Sequence, residues 1–172
     1  MLQMCYKRVV EEVLKLNMFT KTFRLEQEQL VARPLTEVFS FFSDAFNLER
    51  LTPPFLNFKI LTPAPIDIRT DTIIEYRITL FGVPMYWRTR ILDFTPDDSF
   101  VDSQEKGPYA FWHHTHTFEE TEGGTLMRDI VLYRLPLGPL GLLAHVLFVR
   151  HTLKRIFSYR RDALANLLGD TA

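Results

Sequence analysis

The chain has almost no cysteine. Cys5 is the only one among 172 residues, so no disulfide can form within the chain. A lone cysteine is typical of proteins that stay in the reducing cytoplasm, and we expect this location. An excess of one charge is also missing, since 20 basic and 21 acidic residues give a formal net charge of -1. The charge balance therefore gives no reason to expect a nucleic acid or an anionic membrane surface as the partner.

Further absences narrow the function. The most apolar run, residues 135–149, is broken by prolines, glycines and His145, and it is shorter than the roughly 20 residues of a spanning helix. The chain has no glycine-rich phosphate loop and no Gly-x-Ser-x-Gly nucleophile elbow. Cys5 lies outside the expected domain, so it is not a candidate nucleophile. We therefore predict no transmembrane segment, no phosphate-loop chemistry, and neither a serine nor a cysteine nucleophile.

The first 18 residues are predicted to be an extension ahead of a single domain at residues 19–170. Apolar residues from Val9 to Leu16 fall at helical spacing, so the extension can form a short accessory helix. Met18 stands directly before the first predicted strand, and a start of translation there would remove the extension altogether. We favour the start at Met18, and both interpretations stay open.

Strand-like and helical patterns follow one another in a simple order. A strand at about 21–31 leads into two short helices at about 35–43 and 45–51, and Pro34 suits the first turn of the first helix. About six strands follow, in which polar and apolar residues alternate with a period of two. A long helix ends the chain, with apolar residues from Leu142 to Leu167 at a spacing near 3.6. This order predicts an α+β fold, a curved antiparallel sheet of about six to seven strands wrapped around the C-terminal helix.

The most informative stretch, Trp112 to Phe118, holds three of the five histidines and is called the histidine strand below. Successive side chains of a strand point to opposite faces, so His114 and His116 share one face and His113 lies on the other. The face of His114 also carries Trp112 and Phe118, which makes it aromatic at both ends with two imidazoles between. A curved sheet leaves a cavity against the helix, and we expect this face to line that cavity.

The turns on either side of the histidine strand suggest how the strands pair. Across the turn at residues 107–108 the predicted pairs are Trp112 with Gln104, His114 with Asp102, and His116 with Phe100. Across the turn at residues 120–124 the predicted pairs are Phe118 with Thr125, His116 with Met127, and His114 with Asp129. Across the earlier turn at residues 81–84 the predicted pairs are Leu80 with Met85, Ile78 with Trp87, and Tyr76 with Thr89.

This pairing predicts an internal polar cluster among aromatic side chains. An imidazole beside a carboxylate is held in one tautomer and made more basic, as a general base requires. His114 with Asp129 or Asp102 is therefore the candidate catalytic pair. Three interpretations stay open: a buried network that only orders the sheet, polar groups that orient the head of an apolar ligand, and an acid/base pair. The predicted ligand-binding residues are Tyr76, Trp87, Phe100, Gln104, Trp112, His114, His116, Phe118, Met127, Asp129 and Tyr133.

Several short sequence words carry a family resemblance through their order and spacing. The words are Glu37-Val38-Phe39, Leu51-Thr52-Pro53-Pro54, Gly107-Pro108-Tyr109, Trp112-His113-His114-Thr115-His116-Thr117-Phe118 and Tyr133-Arg134-Leu135-Pro136-Leu137-Gly138. Over residues 23–168 the chain resembles the START-like superfamily, also called SRPBCC or the polyketide cyclase/dehydrase and lipid-transport group. The resemblance implies the helix-grip fold and a cavity for lipids, polyketides, quinones or other apolar molecules. It does not decide between a carrier and an enzyme.

The histidine strand also contains a possible metal-ligand set. The two histidines of His114-Thr115-His116 lie on one strand face, with Asp102 or Asp129 as a third ligand, and zinc tolerates such a set. Such a set also arises readily by chance in a histidine-rich strand, and the resemblance implies no metal. We therefore predict no metal and no cofactor.

We predict that the protein binds a small hydrophobic or amphipathic molecule, such as a lipid, a quinone or a polyketide-like compound, between the sheet and the C-terminal helix. One alternative is a cyclase- or dehydratase-like enzyme that uses a His–Asp acid/base pair. Another is an interaction or chaperone-like module that uses the basic helix and binds no small ligand. Binding without turnover is favoured, no nucleic acid is expected, and the oligomeric state is left open. A cavity below about 300 Å³ would favour the purely structural network.

Overall fold

Seven antiparallel strands form one sheet in the computed structural model, which describes residues 21–80 and 82–169. The order across the sheet is β1-β7-β6-β5-β4-β3-β2, so the first strand pairs with the last. The predicted extension at residues 1–18 lies outside the described residues. The strands are β1 Phe23–Val31, β2 Lys59–Ile60, β3 Ile73–Leu80, β4 Val83–Thr95, β5 Ser99–Lys106, β6 Phe111–Thr121 and β7 Gly124–Arg134.

The helices lie where the sequence predicts them. Two short helices follow β1, and Pro34, whose backbone is extended, directly precedes the first. The chain ends in one continuous helix that contains a single π-helical turn. No helix among the described residues is both long and apolar enough to cross a membrane. The helical segments are α1 Leu35–Phe42, α2 Asn47–Leu51, a 3-10 turn at Pro54–Leu56, α3 Pro139–Ala144, the π-turn at His145–Val149, and α4 Arg150–Leu168.

A curved antiparallel sheet with a long C-terminal helix and two short helices after β1 is the helix-grip arrangement, so the predicted fold class is confirmed. The curvature has a local cause in β4, where the pairing with β5 shifts between Arg88 and Thr89 and again between Ile91 and Asp93. Such bulges bend a strand and increase its twist. The second bulge also changes which residues face inward, because Phe94 joins Ile91 on the core side.

Two of the three pairs predicted on one side of the histidine strand are confirmed. His114 pairs with Asp102 and His116 pairs with Phe100. The ladder between β5 and β6 ends at Ser103 and His113, so the predicted pair of Trp112 with Gln104 is wrong. The reason is local, since the side chain of Gln104 exchanges two hydrogen bonds with the backbone of Tyr109 where the chain turns.

The pairs predicted across the other two turns are wrong by two residues. Both turns are tighter than expected, since Leu80 pairs with Val83 and Thr121 pairs with Gly124. A shift of two keeps the alternation of faces, so the same side chains still point inward. In place of the predicted partners, the observed pairs are Phe118 with Met127, His116 with Asp129, His114 with Val131, Ile78 with Met85, and Tyr76 with Trp87.

The C-terminal helix contacts the sheet in two different ways. Towards its end, Leu164 and Leu168 pack into a solid core with Phe39 of α1 and Phe118 of β6. Nearer its beginning, Leu153 and Phe157 face the two tryptophans of the sheet. The first contact closes one end of the molecule, and the second leaves room for a cavity.

The tight turn between β6 and β7 makes Gly124 hard to replace. Its φ is +126°, and a Cβ built there would lie 2.2 Å from the backbone oxygen of Val31. We expect Gly124→Ala to lower the free energy of unfolding by about 1–3 kcal/mol, measured by urea denaturation. The control is Gly123→Ala, whose Cβ would meet only the mobile end of Leu30 at 3.2 Å. Equal losses in the two variants would contradict the assignment of strain to Gly124.

Candidate functional site

A cavity of about 190 Å³ lies between the sheet and the C-terminal helix. Inward side chains of β3 and β4, among them Tyr76 and Trp87, form its wall on the sheet side. Leu153 and Ile156 face it from α4. The bent sheet cannot press evenly against a straight helix, and the cavity is the space that remains.

Both tryptophans of the chain line this cavity. Trp87 and Trp112 meet edge to face, with ring centroids 5.3 Å apart. The buried Nε1–H of Trp87 donates to Thr89 Oγ1 at 3.0 Å, so it does not require water or a ligand. The indole of Trp87 therefore faces the cavity with its own hydrogen bond already made.

The charged and imidazole side chains that line the cavity are few, and they come from two directions. The sheet supplies Asp102 from β5 and both His114 and His116 from β6, and α4 supplies Arg160. Asp129 of β7 lies behind the imidazoles, and its side chain is 0% exposed. These five residues are called the His–Asp cluster below.

Both carboxylates of the His–Asp cluster contact both imidazoles. His114 lies between them, with Nε2 3.0 Å from Asp129 Oδ1 and Nδ1 3.4 Å from Asp102 Oδ2. His116 has Nε2 3.2 Å from Asp102 Oδ2 and Nδ1 2.7 Å from Asp129 Oδ1. The short contact of His116 Nδ1 lacks hydrogen-bond geometry, because the ring does not point this nitrogen at the oxygen. The predicted position of His114 between two aspartates is thus observed, although the backbone partner of Asp129 is His116.

The electrostatics of the cluster favour its charged forms. Burial alone would raise the pKa of Asp129, but the positive charge of Arg160 and the two imidazoles hold that pKa well below its ordinary value. Burial likewise opposes ionisation of Asp102, and the hydrogen bonds from His114 and His116 lower its pKa. Burial would lower the pKa of His114, but its hydrogen bonds to the two carboxylates raise it. The two carboxylates therefore stabilise a proton on His114.

Six of the predicted ligand-binding residues line the cavity, and the other five lie elsewhere. Phe118 and Met127 lie in the solid core, Asp129 lies behind the histidines, and Gln104 is bound to the turn at Tyr109. Tyr133 lines a separate cleft between β1 and the C-terminal helix. The predicted residues that do line the cavity are Tyr76, Trp87, Phe100, Trp112, His114 and His116.

Sequence reasoning missed Arg160 as a residue of the cavity. Its guanidinium lies over the rings of Phe42 and Phe157, at 5.4 and 6.0 Å from their centroids. A signal was present, because Arg160 stands three residues after Phe157 and four before Leu164, on the apolar face of α4. A charge on the buried stripe of a helix could have marked it as a cavity residue.

Comparison with known proteins supports the fold. A Staphylococcus aureus protein of unknown function is similar in structure, with a TM-score of 0.68, 13% identity, and coverage of 88% of this chain and 96% of that one. A Chromobacterium violaceum protein gives 0.64 with 18% identity over 86% and 97% of the two chains. Major latex-like protein 151 from Panax ginseng gives 0.62 with 10% identity over 86% and 97%. Identities this low establish a shared fold alone.

Sequence comparison identifies the family. A search of curated protein sequences found no match. The profile of the family described as polyketide cyclase/dehydrase and lipid transport matches residues 31–156, well over half of the chain. The matched region contains the histidine strand, the two tryptophans and the beginning of α4, and it confirms the resemblance to the START-like superfamily. On this match the chain belongs to the polyketide cyclase/dehydrase and lipid transport family.

Proposed function

We propose that the protein binds a small apolar or amphipathic molecule in the cavity between the sheet and α4. The observation that carries the proposal is the arrangement of the cavity wall. It is apolar and aromatic over most of its surface, and among residues 21–80 and 82–169 its charged or imidazole side chains are Asp102, His114, His116 and Arg160. Pockets for amphipathic ligands commonly combine an apolar wall with a few convergent polar groups. The apolar part of the ligand would lie on Trp87 and Trp112, with its polar end at the cluster.

The volume limits the ligand. At about 190 Å³ the cavity is smaller than the roughly 300 Å³ at which ligand pockets commonly begin, so volume alone favours a purely structural network. A compact ligand fits this proposal best. A lipid, quinone or polyketide would require the helix to move outward near Val149, which lines the cavity at the π-turn. A cytoplasmic location remains part of the proposal.

A cavity-filling variant tests this proposal. Ile156 is half-buried on α4 and faces the cavity, so Ile156→Trp should occupy the proposed ligand volume. With 1-anilinonaphthalene-8-sulfonate as the probe, we expect its fluorescence enhancement to reflect a roughly tenfold or larger loss of affinity in this variant. The wild-type emission of Trp87 and Trp112 should be quenched as the probe binds. Native mass spectrometry of the purified protein should show an extra mass that Ile156→Trp lacks.

The matched control is His151→Trp, the same new side chain at an exposed position of the same helix. It should bind the probe as the wild type does, provided that circular dichroism shows both variants folded. Probe binding that survives Ile156→Trp would place the probe outside the cavity, and the cavity proposal would fail.

An acid/base activity of the cyclase or dehydratase type is the second candidate. The observation in its favour is His114, which lines the cavity and contacts both Asp102 and Asp129. A protonated imidazole held between two carboxylates can donate a proton to a bound carbonyl or hydroxyl group. If a substrate screen finds turnover, His114→Ala should abolish it while probe binding persists, and a variant that keeps full turnover would exclude this role.

A further inference from the structure

Each imidazole of the His–Asp cluster makes one hydrogen bond and holds its second nitrogen near a carboxylate. His114 Nε2 is hydrogen-bonded to Asp129 Oδ1, and His116 Nε2 to Asp102 Oδ2. The second nitrogens, His114 Nδ1 and His116 Nδ1, lie 3.4 Å from Asp102 Oδ2 and 2.7 Å from Asp129 Oδ1. A neutral imidazole has one N–H and one lone pair, so each of these nitrogens holds a lone pair close to an anionic oxygen. A proton or a cation beside the rings would relieve this repulsion.

The donor atoms on the cavity side have the spacing of a metal site. Asp102, His114 and His116 each offer one donor atom, and these atoms all lie within 4.8 Å of one another. Asp102 Oδ2 is 3.4 Å from His114 Nδ1 and 3.2 Å from His116 Nε2. Zinc–ligand bonds of about 2.0–2.1 Å in a tetrahedron require donor atoms roughly 3.3–3.4 Å apart. The two distances from Asp102 Oδ2 already match this geometry.

We propose that Asp102, His114 and His116 bind a divalent transition metal ion, with zinc the best match to two imidazoles and one carboxylate, and with the fourth coordination position open to the cavity. All three side chains line the cavity, so a water molecule or the polar end of a ligand can reach that position. The sequence alone led us to predict no metal, because it does not give the distances between donor atoms.

Asp129 supplies an independent reason for the proposal. The ring nitrogens that face away from the ion, His114 Nε2 and His116 Nδ1, are the two that contact Asp129 Oδ1. Histidines that bind metals commonly donate their second N–H to a carboxylate, which fixes the tautomer and the ring orientation. With an ion in place, each neutral imidazole gives its lone pair to the metal and keeps its proton on the nitrogen nearest Asp129. His114 Nε2 already has hydrogen-bond geometry to Asp129 Oδ1, whereas the ring of His116 would have to turn for its Nδ1–H to donate.

The charge balance is compatible with this ion. Two carboxylates and Arg160 leave one unit of negative charge when both imidazoles are neutral. A proton on His114 can neutralise it, and this proton is the competitor of the metal. Arg160 approaches from α4 and works against a cation, whereas Asp129 lies directly behind both ligands and supports it. The proposal does not rest on an organic ligand, so it stands or fails separately from the binding of the fluorescent probe.

Titration of chelator-treated, full-length protein with Co²⁺ tests the proposal, because tetrahedral Co²⁺ with nitrogen and oxygen ligands absorbs visible light. We expect one equivalent to bind with these bands and to be displaced by Zn²⁺. Asp102→Asn should weaken Zn²⁺ binding in the displacement titration by at least about 100-fold, and Asp129→Asn by about 10–100-fold, since loss of a supporting carboxylate typically costs that much. His116→Gln removes a second proposed ligand and should also weaken Zn²⁺ binding. The proposal can therefore still be tested if Asp102→Asn does not fold.

Two controls separate the site from adventitious binding. His113→Gln changes the neighbouring histidine on the opposite face of β6, and His151→Ala changes an exposed histidine of α4. Both should bind Co²⁺ as the wild type does, with circular dichroism confirming the fold of every variant. Absent absorption bands, unchanged Zn²⁺ affinity in folded Asp102→Asn, or loss of binding in His151→Ala would each overturn the proposal and leave the protonated network as the explanation.

Discussion

Replacing Asp129 with alanine is expected to lower the free energy of unfolding by about 3–5 kcal/mol. The side chain is 0% exposed and contacts both imidazoles of the His–Asp cluster. Without the Asp129 carboxylate, the positive charges of His114 and Arg160 lose a buried negative partner. A buried charge without a compensating partner is costly. Urea denaturation followed by circular dichroism, with a chelator present to exclude metal, measures the loss.

The control for this prediction is Glu119→Ala, which removes an exposed carboxylate from β6, the strand that pairs with β7. Surface changes of this kind alter stability by no more than about 0.5 kcal/mol. Losses of similar size in the two variants would show that the network around Asp129 contributes little to the stability of the sheet.

Replacing Leu164 with alanine is expected to cost about 2–5 kcal/mol. Leu164 is fully buried in the solid core at the end of α4, where Phe39, Phe118 and Met127 surround it. A close-packed core collapses only partly onto the space that a lost side chain leaves. The change therefore removes apolar contacts and adds a cavity, and the same denaturation experiment measures the sum.

Leu143→Ala provides the same chemical change at an exposed position of α3, where the leucine is 55% exposed. Its cost should stay within about 0.5 kcal/mol, because alanine is a good helix former and little buried surface is lost. A small loss in Leu164→Ala would mean that the grip of the helix on the sheet does not depend on this end of α4.

The inward face of the histidine strand could be predicted from the sequence, because a strand alternates faces every residue. The exact pairing of β6 with β7 could not be predicted, because residues 120–124 can form turns of different lengths. Turns whose registers differ by two residues leave the same side chains facing inward, so alternation does not distinguish between them. The observed turn is the tightest, with Thr121 opposite Gly124. The error moved the backbone partner of Asp129 from His114 to His116 and left both imidazoles beside its side chain.

The division of the inward face between cavity and core was not predictable from alternation. Phe118 and His116 point the same way, but α1 places Phe39 and Phe42 against Phe118 and closes that end of the sheet. The position of a short helix above a sheet depends on its connecting turns, which carry no periodic signal. The cavity volume is equally inaccessible, because it depends on the rotamers of two tryptophans and on the bend of β4.

The strand order also determines when the protein can complete its fold during synthesis. β3 to β7 pair with their neighbours in the sequence, so each can join the sheet as it leaves the ribosome. Among the strands of the described residues, β1 is made first and pairs with β7 alone, and Thr125 Oγ1 donates to the backbone oxygen of Arg33 across 92 residues of chain. The nascent β1 is therefore without this partner strand while β2 to β6 are translated. Its outward residues Arg24, Glu26 and Glu28 place charges along that strand, which discourages association with other nascent chains.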